Sequence, residues 1–244
     1  MKSVIAASMH KAGSTVANSI LLDFFGALRY EIDDISNKSW ASPLTEAEFY
    51  IDYQKNILAD GVYYGMARGP YVAKMDKINS LRMIVQIRDP RDCLTSLYFS
   101  QKESHSPPPD PERAKLFYER REKSGELSID HFVLARAENY RRRMEILSKI
   151  INSHSDFLVL KYEEMTENTP KWLGKISDFL DQPISDELRS KLHKKTQFSV
   201  DVEDSSKHKR QVTPGDHKRK LKPETIVQLN NILTHELQSF GYAE

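Results

Sequence analysis

Two short apolar runs, each ending in a charged turn that opens into an amphipathic helix, constrain this chain most. The first is "SVIAAS" at 3–8, a β-branched stretch suited to a buried strand. Beyond the turn that follows it, Val16, Ile20, Leu21, Phe24 and Leu28 recur at helical spacing. The second run is Met83, Ile84, Val85 and Ile87, followed by a helix with Pro90 early in it and Leu94, Leu97 and Tyr98 on one face. A third strand is expected at "DFLVLKY", 156–162, before the helical "PKWLGKISDFL". Strands alternating with helices predict an α/β fold, three α/β/α layers around a central parallel sheet.

The 244 residues can bury a sizeable core, and we read 1–244 as a single domain. Lysine plus arginine (36) nearly balance aspartate plus glutamate (35), so no global field points to nucleic acid or a membrane surface. Cys93 is the only cysteine and cannot form an intramolecular disulfide, which fits a reducing compartment; a cytoplasmic location is expected. "MKSVIAASM" has the flavour of a leader peptide, but His10 and Lys11 end its apolar stretch too early, so we expect it in the mature protein. No segment approaches the length of a transmembrane helix. The proline-rich stretch 104–112 reads as a loop, 200–220 as a mobile charged segment, and 223–240 as the final helix.

The turn "HKAGST" carries the first functional signal. After a parallel strand, the amino end of the next helix presents unpaired N–H groups over the ligand crevice, and an anion belongs there. Gly13 allows close backbone approach, Ser14 and Thr15 add hydroxyl donors, and Lys11 adds a full charge. Lysine precedes the glycine by two positions, so this is not the GxxxxGK[ST] loop of nucleotide triphosphatases. The plain alternative is a strand-to-helix turn with an exposed lysine. In the second unit Arg88 stands at the strand end and Ser96 two helical turns later, an arrangement suited to bidentate phosphate binding. Pairing of Arg88 with Asp89 or Asp92 is the structural alternative.

Taken together, these motifs resemble the sulfotransferases that use 3′-phosphoadenosine 5′-phosphosulfate (PAPS), with similarity from residue 3 to the C-terminus. The family's 5′-phosphosulfate loop, Lys-Ser-Gly-Thr-Thr, is matched by Lys11, Ala12, Gly13, Ser14 and Thr15. Its 3′-phosphate motif, Arg-(Asn/Asp)-Pro-(Lys/Arg)-Asp with a serine eight residues after the arginine, is matched by Arg88, Asp89, Pro90, Arg91, Asp92 and Ser96. "LKYEEM" resembles the segment whose tyrosine contacts adenine, a role that falls on Tyr162. "KTQF" resembles Thr-Ser-Phe and assigns threonine and adenine-stacking roles to Thr196 and Phe198. "KRQVTPGDHK" resembles the late Arg-Lys-Gly-x-x-Gly-Asp-Trp-Lys loop over the 3′-phosphate, with Arg210 retained.

The departures matter too. Gln211, Val212 and His217 stand where the late loop has lysine, glycine and tryptophan, and Val16 replaces a tryptophan common after the first loop. Many cytosolic members carry a histidine base in Lys-Thr-His-x-Pro; the nearest local match, "MARGP", puts Arg68 there. The family's C-terminal dimerisation pattern is absent, which leaves the oligomeric state open.

The resemblance implies a P-loop-NTPase-like sulfotransferase fold, PAPS as sulfuryl donor, PAP (3′-phosphoadenosine 5′-phosphate) as product, no metal requirement, and a small-molecule acceptor with a hydroxyl or amine. Neither nucleic acid nor membrane is expected as a partner. Lys11 would donate to the leaving group, while Arg88, Ser96 and Arg210 hold the remote phosphate, whose binding energy positions the sulfate. For the base, His10 beside Lys11 and His105 in the proline loop are candidates, with Asp33, Asp34, Glu46 and Glu48 as further carboxylates. Arg68 cannot take a proton at neutral pH, but it can bind the sulfuryl oxygens or an anionic acceptor. A non-catalytic PAP-binding module and, more remotely, an ATP-dependent kinase are the rival readings.

Overall fold

A computed structural model describes residues 1–104, 107–193, 195–196 and 212–243. The chain divides into two compact units, Met1–Ile87 with Ile146–Phe198, and Arg88–Glu145 with Ser199–Glu244.

The first unit is built on a parallel sheet of five strands. These are β1 (Val4–Ser8), β2 (Glu31–Ile32), β3 (Val62–Arg68), β4 (Arg82–Ile87) and β5 (Phe157–Lys161), in the order β2-β3-β1-β4-β5. Every residue of β1 is buried, as a central strand covered on both faces must be. Helices α1 (Ser14–Ala27), α2 (Ile35–Ala41), α3 (Glu46–Tyr53), α7 (Tyr162–Glu167), α8 (Thr169–Leu180) and α9 (Asp186–His193) accompany the sheet. The core joins Val4, Ala6, Ile84 and Leu160 of the sheet to Ile20, Phe24 and Phe25 of α1 and to Trp172, Leu173, Ile176 and Leu180 of α8. Those α8 positions form one apolar stripe at helical spacing. Phe25 stacks on Tyr63 with ring centroids 4.1 Å apart. Each large side chain so buried stabilises the fold by roughly 2 kcal/mol. The Trp172 indole donates to Gln86 Oε1 at 3.2 Å, so a polar group inside the sheet is satisfied there.

Strand order sets the place of the site. From β1 the chain runs to β2 and β3 on one side, then crosses to β4 and β5 on the other, so the switch point lies at the carboxyl ends of β1 and β4. Ser8, the last residue of β1, is in register with Arg68, the last of β3, and Gly69 N–H donates to the Ser8 carbonyl at 2.6 Å.

The second unit is helical: α4 (Pro90–Phe99), a π-turn at Ser100–Ser104, α5 (Pro111–Gly125), the part of α6 (Ile129–Ser153) up to Glu145, α10 (Asp216–Lys220), α11 (Pro223–Ile232) and α12 (Thr234–Ser239). Its core contains Cys93, Leu94, Phe132, Val133, Ala137, Tyr140, Leu229, Leu233 and Leu237. Asp89 caps α4 by accepting from Arg91 N–H at 2.9 Å, with Pro90 at the first helical position.

The α/β class, the parallel sheet and the three expected strands are present. Two strands are additional. β2 is too short to carry a pattern, and β3, "VYYGMAR", is a β-prone run interrupted by Gly65 in a left-handed conformation (φ +70°). The mobile reading of 200–220 is corrected at its end: Asp216–Lys220 form α10, with Asp216 and His217 buried. Residues 200–211 lie outside the described residues. The final helix breaks at Leu233 into α11 and α12. In the proline loop, 107–110 are non-helical and α5 begins at Pro111, the position where a missing N–H costs nothing.

Candidate functional site

The turn from β1 into α1 is the most unusual backbone in the first unit. Lys11 (φ +71°) and Gly13 (φ +76°) are both left-handed, a conformation that lysine adopts only at a cost of about 1 kcal/mol or more. Ala12 N–H returns to the Met9 carbonyl at 3.2 Å and closes the turn. Gly13 then caps α1 without any side-chain hydrogen bond, and the first turn of this 14-residue helix carries no acidic residue. Its amino end therefore presents N–H groups and a positive dipole that no side chain of its own neutralises.

Glycine is required at 13 for a second reason. A Cβ there would meet the Tyr162 ring at 2.5 and 2.8 Å. Tyr162 opens α7 directly after β5 and is buried in the core cluster, so its ring forms the floor on which the turn rests. Sequence comparison assigned this tyrosine to the adenine; its ring edge contacts the loop glycine.

Around the turn stand the other donors. Ser14 is buried, Thr15 is exposed, and His10 and Lys11 are half-buried. Arg68, at the end of β3, donates from Nη2 to Thr15 Oγ1 at 3.4 Å. The parallel register of β1 and β3 thus brings a guanidinium to the amino end of α1, and the strand that does so was missing from the sequence reading. Farther along α1, Asn18 accepts from the Tyr63 hydroxyl at 3.2 Å and donates to Asp34 Oδ2 at 3.2 Å. Lys195 binds the Ser19 carbonyl at 3.1 Å and the Asp23 carboxylate, which ties the segment carrying Thr196 to α1. Phe198, Arg210 and His105 lie outside the described residues.

The second unit holds the other motif. Arg88 is buried and faces Asp92 one turn away, Nη2 to Oδ2 3.5 Å. Of the two pairings open to Arg88, the one with Asp92 is observed. Asp89 is committed to Arg91 through Nε–Oδ1 (3.0 Å) and Nη2–Oδ2 (2.7 Å) contacts. Arg91 also binds Asn230 Oδ1 at 2.8 Å and the Tyr242 carbonyl at 3.1 Å, so it braces α4. Ser96, half-buried, lies two turns beyond Arg88 on α4.

Asp92, a motif position and a candidate partner of Arg88 in the sequence, proves to be a hub. Fully buried, it accepts from Gly215 N–H (2.8 Å), His217 N–H (2.9 Å) and His217 Nδ1 (2.6 Å). Burial alone would raise its pKa; the His217 hydrogen bonds and the Arg88 charge outweigh that and hold the carboxyl well below the usual range. His217 thereby anchors the start of α10 to α4.

Among the described residues no cluster of His, Cys, Asp and Glu is arranged as a metal site. No helix among them is long and apolar enough to cross a membrane.

Comparison with solved structures finds the same fold repeatedly. Mouse sulfotransferase SULT7A1 complexed with PAP matches 97% of this chain and 84% of its own, with a TM-score of 0.66 at 15% identity. Retinol dehydratase in complex with androsterone and inactive cofactor PAP matches 97% and 80%, TM-score 0.55, 16% identity. Sulfotransferase STF9 from Mycobacterium avium matches 99% and 77%, TM-score 0.54, 12% identity. At such identities the likeness is one of fold. No curated protein matches the sequence significantly. The sulfotransferase domain model, by contrast, matches residues 73–241, more than half of the chain, and the protein belongs to the sulfotransferase family.

Proposed function

We propose that this sulfotransferase takes the sulfuryl group from PAPS, passes it to a hydroxyl or amine of a small-molecule acceptor, and releases PAP, its two units acting as one domain in the cytoplasm without a metal. One observation carries the reading: the amino end of α1, uncapped and free of acidic residues, is entered through left-handed Lys11 and Gly13 and flanked by Thr15 and Arg68.

PAPS supplies an activated sulfuryl group: the acceptor's lone pair forms the new bond to sulfur, the bond to the 5′-phosphate oxygen breaks with its electron pair, and the acceptor's proton leaves to a base. The residues do the rest by position and charge. Lys11 and the first N–H groups of α1 would hold the 5′ end, with Ala12, Ser14 and Thr15 completing the loop. Lys11 would stabilise the charge that develops on the departing phosphate. Arg68 would bind oxygens of the transferred group. Arg88 and Ser96, joined by Arg210, would grip the 3′-phosphate; Tyr162, Thr196 and Phe198 belong to the adenine side. His10, one residue from Lys11, is our candidate for taking the acceptor's proton, with His105 as the alternative.

Calorimetric titration of PAP into the wild type without metal, beside ATP, tests the reading. Binding of PAP in preference to ATP, followed by transfer from PAPS, is expected. Failure to bind PAP, or ATP binding that needs magnesium, overturns it; PAP binding without transfer to any acceptor leaves a nucleotide-binding module.

A further inference from the structure

Strand β3 carries an extra residue. Val4 of β1 lies against Tyr63 and Ala6 against Met66, so two steps along β1 match three along β3. This is a β-bulge, uncommon between parallel strands, and it falls on Tyr64 and Gly65, the latter left-handed at φ +70°. Beyond it the pairing is regular, Ala7 with Ala67 and Ser8 with Arg68.

A bulge changes the face that later side chains take. Residues in register across a strand pair share a face, and successive residues alternate. Tyr63 points to the face covered by α1, where its ring stacks on Phe25. Plain alternation from residue 63 to residue 68 would turn Arg68 to the opposite face. The bulge cancels that flip. Met66 joins Tyr63 in the core with Ile20 and Phe24 of α1, and Arg68, two residues later, reaches Thr15 Oγ1 of the same helix at 3.4 Å.

The bulge is also held from outside the strand. A Cβ on residue 65 would stand 2.7 Å from Asp34 Oδ1 and 3.1 Å from Asp34 Cα. That carboxylate has little room to yield, because it accepts from Ser36 N–H (3.1 Å), Asn37 N–H (3.4 Å), Asn37 Nδ2 (2.9 Å) and, on α1, Asn18 Nδ2 (3.2 Å). Position 65 therefore needs both a left-handed backbone and no side chain, and glycine alone supplies the two.

We propose that Gly65 is a positioning residue for the transfer: by keeping the bulge, it turns the Arg68 guanidinium to the amino end of α1, where the sulfuryl group would lie. The inference rests on the PAPS reading above and on the part proposed there for Arg68.

A double-variant cycle of Gly65→Val and Arg68→Ala tests it, read by turnover of radiolabelled PAPS with phenol, benzylamine or water as acceptor. PAP titration and thermal denaturation accompany it. Valine is β-branched and avoids the left-handed region, so it drives β3 back to plain alternation. Should Gly65→Val not fold, Gly65→Ala, the smallest side chain that still meets Asp34, takes its place. The substitution should lower kcat/KM about tenfold while PAP affinity stays within about twofold, and it should cause no further loss when added to Arg68→Ala. Deleting Gly65 instead leaves Tyr64 alone opposite Ile5 and restores alternation with Arg68 still facing Ser8. The deletion should therefore lose less than the substitution, and Arg68→Ala should still slow it. A glycine needed only for the fold predicts otherwise: losses that add in the cycle, or a deletion at least as harmful as the substitution. Either result overturns the proposal, as does full kcat/KM in the substituted protein. Full kcat/KM in Arg68→Ala overturns it too but leaves the PAPS reading standing. A wild type that does not bind PAP, or binds it without turning over PAPS, fails that reading itself, and the proposal falls with it.

Discussion

His217 donates its Nδ1 hydrogen to Asp92 Oδ1 across 2.6 Å, with both side chains buried. The ionised carboxylate fixes that tautomer, since only an N–H can approach it so closely. Asp92 also faces Arg88, so one carboxylate couples the arginine proposed to hold the 3′-phosphate to the start of α10. His217→Phe should therefore destabilise the protein by about 1–3 kcal/mol and weaken PAP binding. His217→Trp, the family's residue, keeps a ring N–H and should recover most of the affinity. Denaturant unfolding and PAP titration of both variants check this; equal PAP affinity in His217→Phe would disprove the coupling.

Acid should reveal the same carboxylate. Its folded pKa lies below its unfolded value, so its contribution to stability is complete above the ordinary carboxylate range and is lost as pH falls through it. Asp23, held low against burial by Lys195 and Lys191, adds to this limb in the same direction, weakly because the lysines are partly exposed. Urea unfolding at steps between about pH 6 and pH 3 should show stability falling with pH. Asp92→Asn should be less stable throughout and fall less steeply; an unchanged slope would remove Asp92 from the account.

Gly13 meets two separate demands, a left-handed backbone and a missing Cβ, and a double variant separates them. Gly13→Ala should cost about 1–3 kcal/mol and abolish detectable PAP binding. Adding Tyr162→Ala removes the clash but leaves the strained φ and opens a cavity, so stability should not return. Recovery of wild-type stability in the double variant would mean that the contact with the ring was the whole demand.

How much of this was legible in the sequence depends on what left a pattern. β1, β4 and β5 announced themselves as apolar runs, and α1 and α4 by apolar residues every three or four positions. The turn between β1 and α1 was readable because Lys11, Gly13 and the hydroxyls are unusual together. Arg68 is legible by its place where a histidine is expected and by its charge, but its strand is not, since β3 carries Gly65 in mid-strand and no alternation. Asp92 and His217 were unreadable as a pair: they are 125 positions apart, and "DHKRK" looks solvated until a buried carboxylate supplies its partner.

Lys11 and Arg88 should fail differently. If Arg88 holds the 3′-phosphate as proposed, Arg88→Ala should weaken PAP about tenfold to a hundredfold, with little effect on a nucleotide that lacks that phosphate. Lys11 is proposed to act where charge develops on the leaving group, so in Lys11→Ala kcat should drop by a larger factor than PAP affinity. Titration with PAP and with adenosine 5′-phosphate, beside turnover with PAPS, separates the two. Equal losses for both nucleotides in Arg88→Ala would take the 3′-phosphate away from that residue.

Arg68 offers the sharpest division between binding and chemistry. Its guanidinium reaches Thr15 at the amino end of α1, where the transferred group would lie, and PAP has no such group. Arg68→Ala should then leave PAP affinity within about twofold while kcat/KM with PAPS falls about tenfold to a hundredfold, the range for a lost charged hydrogen bond. Arg68→His places the cytosolic members' base at the position, but at neutral pH it offers a shorter, largely uncharged side chain that does not reach the same oxygens. It should not restore the rate. A histidine variant as fast as the wild type would mean that position 68 serves proton transfer instead of charge. A parallel loss of PAP binding in Arg68→Ala would mean that Arg68 holds the nucleotide.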